Sequence, residues 1–393
     1  MFGAIYTGLS GLNAYSRGLQ QVSNNVTNLN TTGFKGAMVT FQNLYGARGS
    51  GGLSYTANGD GAGNGVSLGE PGLNLKQGEL RTTERDLDLA VDGNGFLVLL
   101  DGDKMLYART GSFEVDPSGF VVLSGTSYRL ATLDASNHPV SLSLDARRTN
   151  APKATTSISF SDNLSSSAKT FAVSDLKVYD AAGGAHAWRA TFTKDATAGT
   201  NAWTVAVTDD KDTAIGSKTL SFTNGIVDAA TAKLDFTDTA SSLTVALDFS
   251  RGVTSFSGGD VSTLRSAKID GYTTGAITGV SVDTTGHLQV SYSNGQKDDL
   301  GALALSDFRS PGALEQRGSG VFAQSQPGAV DYLASSDPRV GEVRTKRLEA
   351  SNVDLSQQFG DLILIQRGFQ ASSQVVSVSN DMIQQLFGIR GQG

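Results

Sequence analysis

Apolar residues recur every seven positions at both ends of the chain. Near the N-terminus they fall at Ile5, Leu12, Leu19 and Val26, with Tyr15, Val22 and Leu29 three residues after the last three. Near the C-terminus they fall at Leu355, Leu362, Phe369, Val376 and Ile383, with Ile365 and Leu386 at further positions. A seven-residue apolar repeat marks a coiled-coil seam, so the spacing predicts helices over 1–30 and 355–393 that pack through these nine heptad residues. The other helix faces carry Asn, Ser and Gln in place of the usual Glu and Lys. Arg17 is the only charged residue from Met1 to Asn30, and Asp354, Asp361, Arg367, Asp381 and Arg390 are the only ones from Ser351 onward. Helices of such composition are marginal in isolation. A simple intramolecular hairpin would satisfy the seam, while the low charge favours packing on several sides by other copies.

After the first helix Gly33 suits a helix-ending left-handed position, and glycine recurs every two to four residues from Gly46 to Gly72. Residues 31–72 therefore read as a Gly-rich connector, flexible or extended and without periodicity. From Asp86 the period changes to two. Leu87, Leu89 and Val91 alternate with Asp86, Asp88 and Asp92, and Asp92-Gly93-Asn94-Gly95 before Phe96–Leu100 gives a β-hairpin signal. Further strands are expected at 105–109, 113–115 and 120–123, with Asp116-Pro117-Ser118-Gly119 as a turn. The phrase Val115-Asp-Pro-Ser-Gly-Phe-Val121 returns as Val282-Asp-Thr-Thr-Gly-His-Leu288, either because two segments build one domain or because turn chemistry converges. Between them, 149–259 is Ala/Thr/Ser-rich with short alternating runs such as Leu243/Val245/Leu247/Phe249, the pattern of an inserted all-β domain. The expected fold is mainly β with α-helical termini: N- and C-terminal coiled-coil helices, a split all-β domain over 73–148 and 260–354, and an inserted all-β outer domain.

Composition narrows the chemistry. The 393 residues include no cysteine, which excludes disulfides, thiolate metal sites and cysteine catalysis. A net charge of −7 argues against nucleic acid as a partner. No apolar run approaches the roughly 20 residues that span a bilayer, so no membrane insertion is expected. The first basic residue is Arg17, so no standard cleaved signal peptide is expected. Gly65-Val-Ser67-Leu-Gly69 matches a nucleophile elbow in letters only, since that motif needs a strand before it and a helix after it. His138, His186 and His287 lie in three separate β segments with no second ligand at metal spacing. Asp86, Asp88 and Asp92 fit no calcium loop and read as strand-face aspartates. Trp188 and Trp203, flanking the 194–201 turn, read as core residues paired across a hairpin. Glycoside hydrolysis by some carboxylate pair stays open, although no pair stands out. We expect no catalytic, cofactor-binding or metal residues, no cofactor, and no enzyme.

Four phrases carry a family resemblance. Asn24-Asn25-Val26-Thr27-Asn28-Leu29-Asn30-Thr31-Thr32-Gly33-Phe34-Lys35 resembles the N-terminal signature of the bacterial flagellar rod and hook proteins, a self-assembling axial family, with Thr27 where Ala is usual. Leu89-Ala-Val-Asp-Gly93-Asn-Gly95-Phe96 and Tyr107-Ala-Arg109-Thr-Gly111-Ser-Phe113 resemble the next blocks. The last is Leu348-Glu349-Ala-Ser351-Asn352-Val353-Asp354-Leu355 with Gln366-Arg367-Gly-Phe369-Gln370-Ala371, departing at Gln358 and Ser372, where Glu and Asn are usual. The insert makes the chain similar to the hook branch, since rod members lack it.

The resemblance implies a hook subunit, extracellular in the flagellum, exported through the flagellar type III apparatus. It implies assembly of many copies into a flexible universal joint that transmits torque and encloses an export channel. Implied partners are copies of itself, the distal rod protein, the hook cap and the hook–filament junction proteins. On that reading Gln366, Gln370, Ser373, Ser377, Asn380 and Gln384 are candidates for an uncharged channel wall. A rod protein is the alternative within the family; a secreted all-β adhesin or glycan-active enzyme is the alternative outside it.

Overall fold

A computed structural model describes residues 2–43, 65–69, 72–195, 201–310, 312, 314–325 and 328–390. Two helices, α1 (Phe2–Thr27) and α2 (Leu355–Arg390), bracket a chain that is otherwise mostly β. Helix α2 starts where Asp354 caps it, its Oδ1 accepting the amides of Ser356 at 2.8 Å and Gln357 at 3.2 Å. The 391–393 end of the predicted C-terminal helix lies outside the described residues, as does the side chain of Leu386. The chain divides into two compact units. Unit 1 comprises 1–145, 280–289 and 299–393, and unit 2 comprises 146–279 and 290–298.

Unit 1 holds a twelve-stranded antiparallel sheet. Its main path runs Leu314–Gln316, Val321–Gln324, Lys104–Ala108, Phe96–Asp101, Arg129–Leu133, Val121–Leu123, Thr110–Val115, Asp88–Asp92 and Glu342–Thr345. Its core gathers Phe96, Val98, Tyr107, Phe308 and Phe322, with the Phe96 ring edge-on to Phe308 and Phe322. The expected hairpin across Asp92–Gly95 does not form. Asp88–Asp92 pairs with Thr110–Val115 and Glu342–Thr345, while Phe96–Asp101 pairs elsewhere. Gly93 and Gly95 serve a close approach instead. A Cβ on Gly95 would lie 2.6 Å from Val340 Cβ, and one on Gly93, whose φ is +147°, 2.5 Å from the Val340 carbonyl oxygen.

The connector is more ordered than its composition suggests at both flanks. Ala37–Met38 pairs with Gly72–Leu73, and Phe41–Asn43 with Val66–Leu68, forming an antiparallel ribbon beside α1. Ser67 sits in that ribbon with no helix after it. Residues 44–64, the glycine-densest part, lie outside the described residues.

Unit 2 contains a ten-stranded sheet around one apolar core. Its main path is Thr170–Tyr179, Ala185–Lys194, Asn201–Thr208, Ala214–Thr223, Ile226–Val227, Val253–Thr254, Ser157–Asn163, Leu243–Asp248 and Lys233–Asp238. The inward positions are the alternating residues of the sequence pattern, among them Ile158, Phe160, Val205, Val245 and Phe249. Trp188 and Trp203 are both buried there, but they are not cross-strand partners: Trp188 lies opposite Leu176 and Trp203 opposite Lys194. The unit reaches past the expected boundary at 259, because Leu264 enters its core and Arg265–Ile269 pairs with Ser157–Asn163.

The repeated phrase at 116 and 283 is a repeat of turn chemistry. Asp116 Oδ1 accepts the Phe120 amide at 2.7 Å and Asp283 Oδ1 the His287 amide at 2.9 Å, with Gly119 and Gly286 at positive φ. The same turn recurs at Asp134–His138, Asp180–Gly184 and Asp209–Thr213, so it belongs to neither segment in particular.

Candidate assembly site

The residues of the sequence signatures converge where the helical hairpin meets the sheet of unit 1. At the centre lies Glu349, fully buried. Its Oε1 accepts Lys35 Nζ at 2.6 Å and the Gly78 amide at 2.7 Å, and its Oε2 accepts Arg109 Nε at 3.4 Å. Two cations thus share one carboxylate. Backbone dipoles supply the remaining compensation, since Arg109 also donates to the carbonyls of Gly95 and Gly93, both at 2.5 Å, and Lys35 to that of Lys76 at 2.6 Å. The glycines at 93 and 95 let this turn lie against Val340 and Gly341, and the turn's carbonyls in turn hold the guanidinium. Burial pushes both Lys35 and Arg109 below their ordinary values, and Glu349 opposes this in each case. Thr110 Oγ1 accepts the Glu349 amide at 3.0 Å and donates to the Leu89 carbonyl at 2.8 Å, fixing the strand that carries the carboxylate.

An amide cluster ties the two helices to this centre. Buried Asn25 donates to Gln358 Oε1 at 2.8 Å and to the Ala37 carbonyl at 2.9 Å, and its Oδ1 accepts the Ala37 amide at 3.0 Å. Asn352 accepts the Gly36 amide at 2.9 Å and donates to the carbonyls of Asn74 at 2.6 Å and Lys76 at 2.8 Å. Gln358 therefore makes a buried contact that joins the start of α2 to α1. Asn28 donates to the Asn24 carbonyl at 2.9 Å near the end of α1, and Gly33, at φ +69°, sends its amide to the Glu349 carbonyl at 2.8 Å while Phe34 is buried. Ser351 Oγ accepts the Val353 amide at 3.4 Å. Gln366 and Arg367 are exposed and away from the cluster.

Above the cluster α1 and α2 run antiparallel. Gly18 meets Ile365, Gly368 meets Tyr15, Gly11 meets Ser372 and Gly8 meets Val376. A methyl group added to Gly368 would come within 2.4 Å of the Tyr15 ring, and one on Gly11 within 2.5 Å of Ser372 Oγ. The contact line within one chain is thus made largely of small residues, with Val22 and Ile365 buried along it. Of the heptad residues, Val376 touches this line. Ile5, Leu12, Val26, Leu362 and Ile383 are half-buried, and Leu19, Leu355 and Phe369 are exposed. All six candidate channel residues, Gln366, Gln370, Ser373, Ser377, Asn380 and Gln384, are exposed on one stripe of α2.

Sequence reasoning assigns no role to Lys35, Arg109 or Glu349. Their burial as charged groups is unusual, but 314 positions separate Lys35 from Glu349, and no local pattern joins them. The histidines stand elsewhere, each beside an aspartate: His138 by Asp134, His186 by Asp180 and His287 by Asp299. Among the described residues no group of three or more His, Cys, Asp or Glu could hold a metal, and no helix is long and apolar enough to cross a membrane.

Comparison with known proteins matches three segments. Residues 5–35 match the family described as flagella basal body rod protein, 143–272 the flagellar basal body protein FlaE D2 domain, and 344–389 the flagellar basal body rod FlgEFG protein C-terminal. The flagellar hook protein FlgE of Treponema pallidum is 27% identical over 99% of this chain and 100% of its own length. That of Salmonella typhimurium is 28% identical over 97% of this chain and 98% of its own length. In fold, the crystal structure of Helicobacter pylori flagellar hook protein FlgE2 superposes with a TM-score of 0.51 at 13% identity, covering 69% of this chain and all of that one.

Proposed function

This chain belongs to the bacterial flagellar rod and hook protein family, and from that premise we propose that it is a structural subunit of the flagellar hook. The observation that carries the proposal is apolar surface its own fold leaves uncovered. Along the two helices Tyr6, Leu9, Phe359, Ile363, Leu364 and Phe387 are all more than half exposed, and so many exposed large apolar side chains on two helices mark an interaction surface. Copies of the same helices are the natural cover, because the faces lack the charges that would suit a polar partner. The inserted unit, which matches a D2 domain, favours hook over rod.

On this reading the subunit passes unfolded through the type III apparatus, and its termini order when they join the growing tube. It follows the distal rod protein, grows beneath the hook cap and meets the junction proteins at its far end. The helices form the inner wall, with Gln366, Gln370, Ser373, Ser377, Asn380 and Gln384 offering a wet, uncharged surface that neither traps nor repels a passing chain. The role is mechanical and not catalytic. A bending joint must let each row of subunits shorten and lengthen, and the polar, small-residue exterior of unit 2 suits contacts that slide. Removing residues 1–30 and 355–393 should abolish sedimentable polymer formed by the full chain at high concentration. Equal polymerisation by the trimmed chain would overturn the proposal.

A further inference from the structure

Asparagine is a thermolabile residue, and a glycine after it has no Cβ to shield its amide nitrogen from the asparagine carboxamide. The sequence contains this step at Asn58, Asn64, Asn94, Asn224 and Asn294. Asn58 and Asn64 lie outside the described residues. The other three differ in what holds the two groups that would react, the glycine amide and the asparagine carboxamide.

At Asn94 the Gly95 amide donates to the carbonyl of buried Val340 at 2.8 Å. At Asn294 the Gly295 amide donates to the Tyr292 carbonyl at 3.0 Å. The Asn294 carboxamide is held as well. Its Nδ2 donates to Asn150 Oδ1 at 3.0 Å and to the Thr273 carbonyl at 2.8 Å, and its Oδ1 accepts the Gln296 amide at 3.1 Å. Gly275 lies against it so closely that a Cβ there would be 2.6 Å from Asn294 Cγ.

At Asn224 neither group is held. Asn224-Gly225 is the two-residue turn between Ala214–Thr223 and Ile226–Val227, with φ of +53° and +79°. Among the described residues neither the Asn224 carboxamide nor the Gly225 amide makes a hydrogen bond. Asn224 is exposed, but so is Asn94, and exposure alone does not separate them. Gly225 is required by packing, since a Cβ on it would lie 2.3 Å from the Phe256 ring. The labile step is thus built into this hairpin.

We propose that Asn224 is a site of spontaneous deamidation in the folded protein. The Gly225 nitrogen attacks Asn224 Cγ and gives its proton to solvent; the Cγ–Nδ2 bond breaks, ammonia leaves, and a five-membered succinimide closes. Water then opens the ring at either carbonyl. One opening gives aspartate, the other isoaspartate, in which the main chain runs through the former side-chain carbon. Either product places a new carboxylate in the cleft that Asn224 lines with Lys194, Asp195 and Phe256. Isoaspartate also lengthens the turn, which loosens the pairing of Phe222 and Thr223 with Val227 and Ile226. At Asn94 the same attack must first free the Gly95 amide and leave the Val340 carbonyl unpaired inside the protein, which slows it about tenfold or more. The inference is independent of the hook-subunit reading.

The test ages the full chain as soluble monomer in mildly alkaline buffer, with a parallel sample in urea, and digests both with trypsin at intervals for mass spectrometry. The peptide Thr219–Lys233 contains Asn224 as its only Asn or Gln, and Asp86–Lys104 contains Asn94 as its only one, so conversion of amide to acid in each reports a single site. In the folded chain Asn224 should convert about tenfold or more faster than Asn94 and Asn294, with isoaspartate in the product detected by isoaspartyl methyltransferase labelling. In urea, where no fold holds any of the three, their rates should converge. Asn224→Gln should abolish the fast conversion of the Thr219–Lys233 peptide. Conversion of folded Asn224 no faster than that of Asn94 or Asn294, or an Asn224 lead that persists unchanged in urea, would overturn the inference.

Discussion

Replacing Glu349 by Gln should loosen unit 1 and leave unit 2 untouched. The carboxylate is fully buried and is the partner of both Lys35 and Arg109. A glutamine of the same shape can still accept from Lys35 Nζ and the Gly78 amide through one oxygen. Its NH2 group then faces Arg109 Nε, donor against donor, and both cations lose their counter-charge inside the protein. Breaking a buried ion pair by removing one partner costs about 3–5 kcal/mol, most of it the uncompensated charge. Unit 1 has about 250 residues, for which 1 kcal/mol moves the midpoint by about 2–4 °C, so its unfolding should fall by about 6–20 °C. Calorimetry of the monomeric chain, with hydrogen exchange to assign each transition, reads both units at once. Unit 2 contains none of these residues and serves as the internal control. The triple variant Lys35→Met, Arg109→Met, Glu349→Leu should recover most of the loss, because apolar replacement of a whole buried cluster is often neutral or better. A loss below about 1 kcal/mol for Glu349→Gln, or an equal fall in unit 2, would refute this account of the junction.

Asn25→Ala should cost about 1–3 kcal/mol, since it leaves the Ala37 amide and Gln358 without partners; Gln358→Glu keeps an acceptor for Asn25 and should change stability by under about 1 kcal/mol in urea titrations. Gly95→Ala should destabilise unit 1 by about 1–3 kcal/mol or more through its clash with Val340. Gly279→Ala, into open space, should be near neutral by the same measurement. Unit 2 should weaken in acid. Burial raises Asp270, but the Thr156 hydroxyl and the amides of Ser157 and Thr156 outweigh it and hold the carboxyl below its ordinary value, while His186 and the Gly184 amide do the same for Asp180. The unfolded carboxyls take up protons first, at about pH 3.9, so this stability is full above that pH and is lost as pH falls through the lower folded values. Urea unfolding at pH 5 and pH 3 should show the loss, and Asp270→Asn should shrink it. Gln370→Lys with Ser377→Lys should slow subunit export in growing cells, and a normal rate would count against the channel wall.

Periodic segments were the legible part of the sequence. The two helices and the unit 2 strands follow from periods of seven and two, because each buries a regular subset of its side chains. The contact line between the helices was not legible, since Gly8, Gly11, Gly18 and Gly368 act by their lack of a side chain and leave no apolar signal. Gly93 and Gly95 misled for a related reason. Asp-Gly-Asn-Gly is good local hairpin chemistry, yet these glycines are needed for contact with Val340 and Gly341, 245 or more positions away. The ionic centre is the extreme case. Lys35, Arg109 and Glu349 stand in recognisable family phrases, but only the fold shows that they share one buried carboxylate.

Electron cryo-microscopy of the tube formed by the full-length chain tests the central claim most directly. The account predicts a hollow helical assembly with α2 innermost and Gln370 and Ser377 toward the channel. A compact assembly without a channel, or a tube whose inner wall is built from the β units, would contradict it.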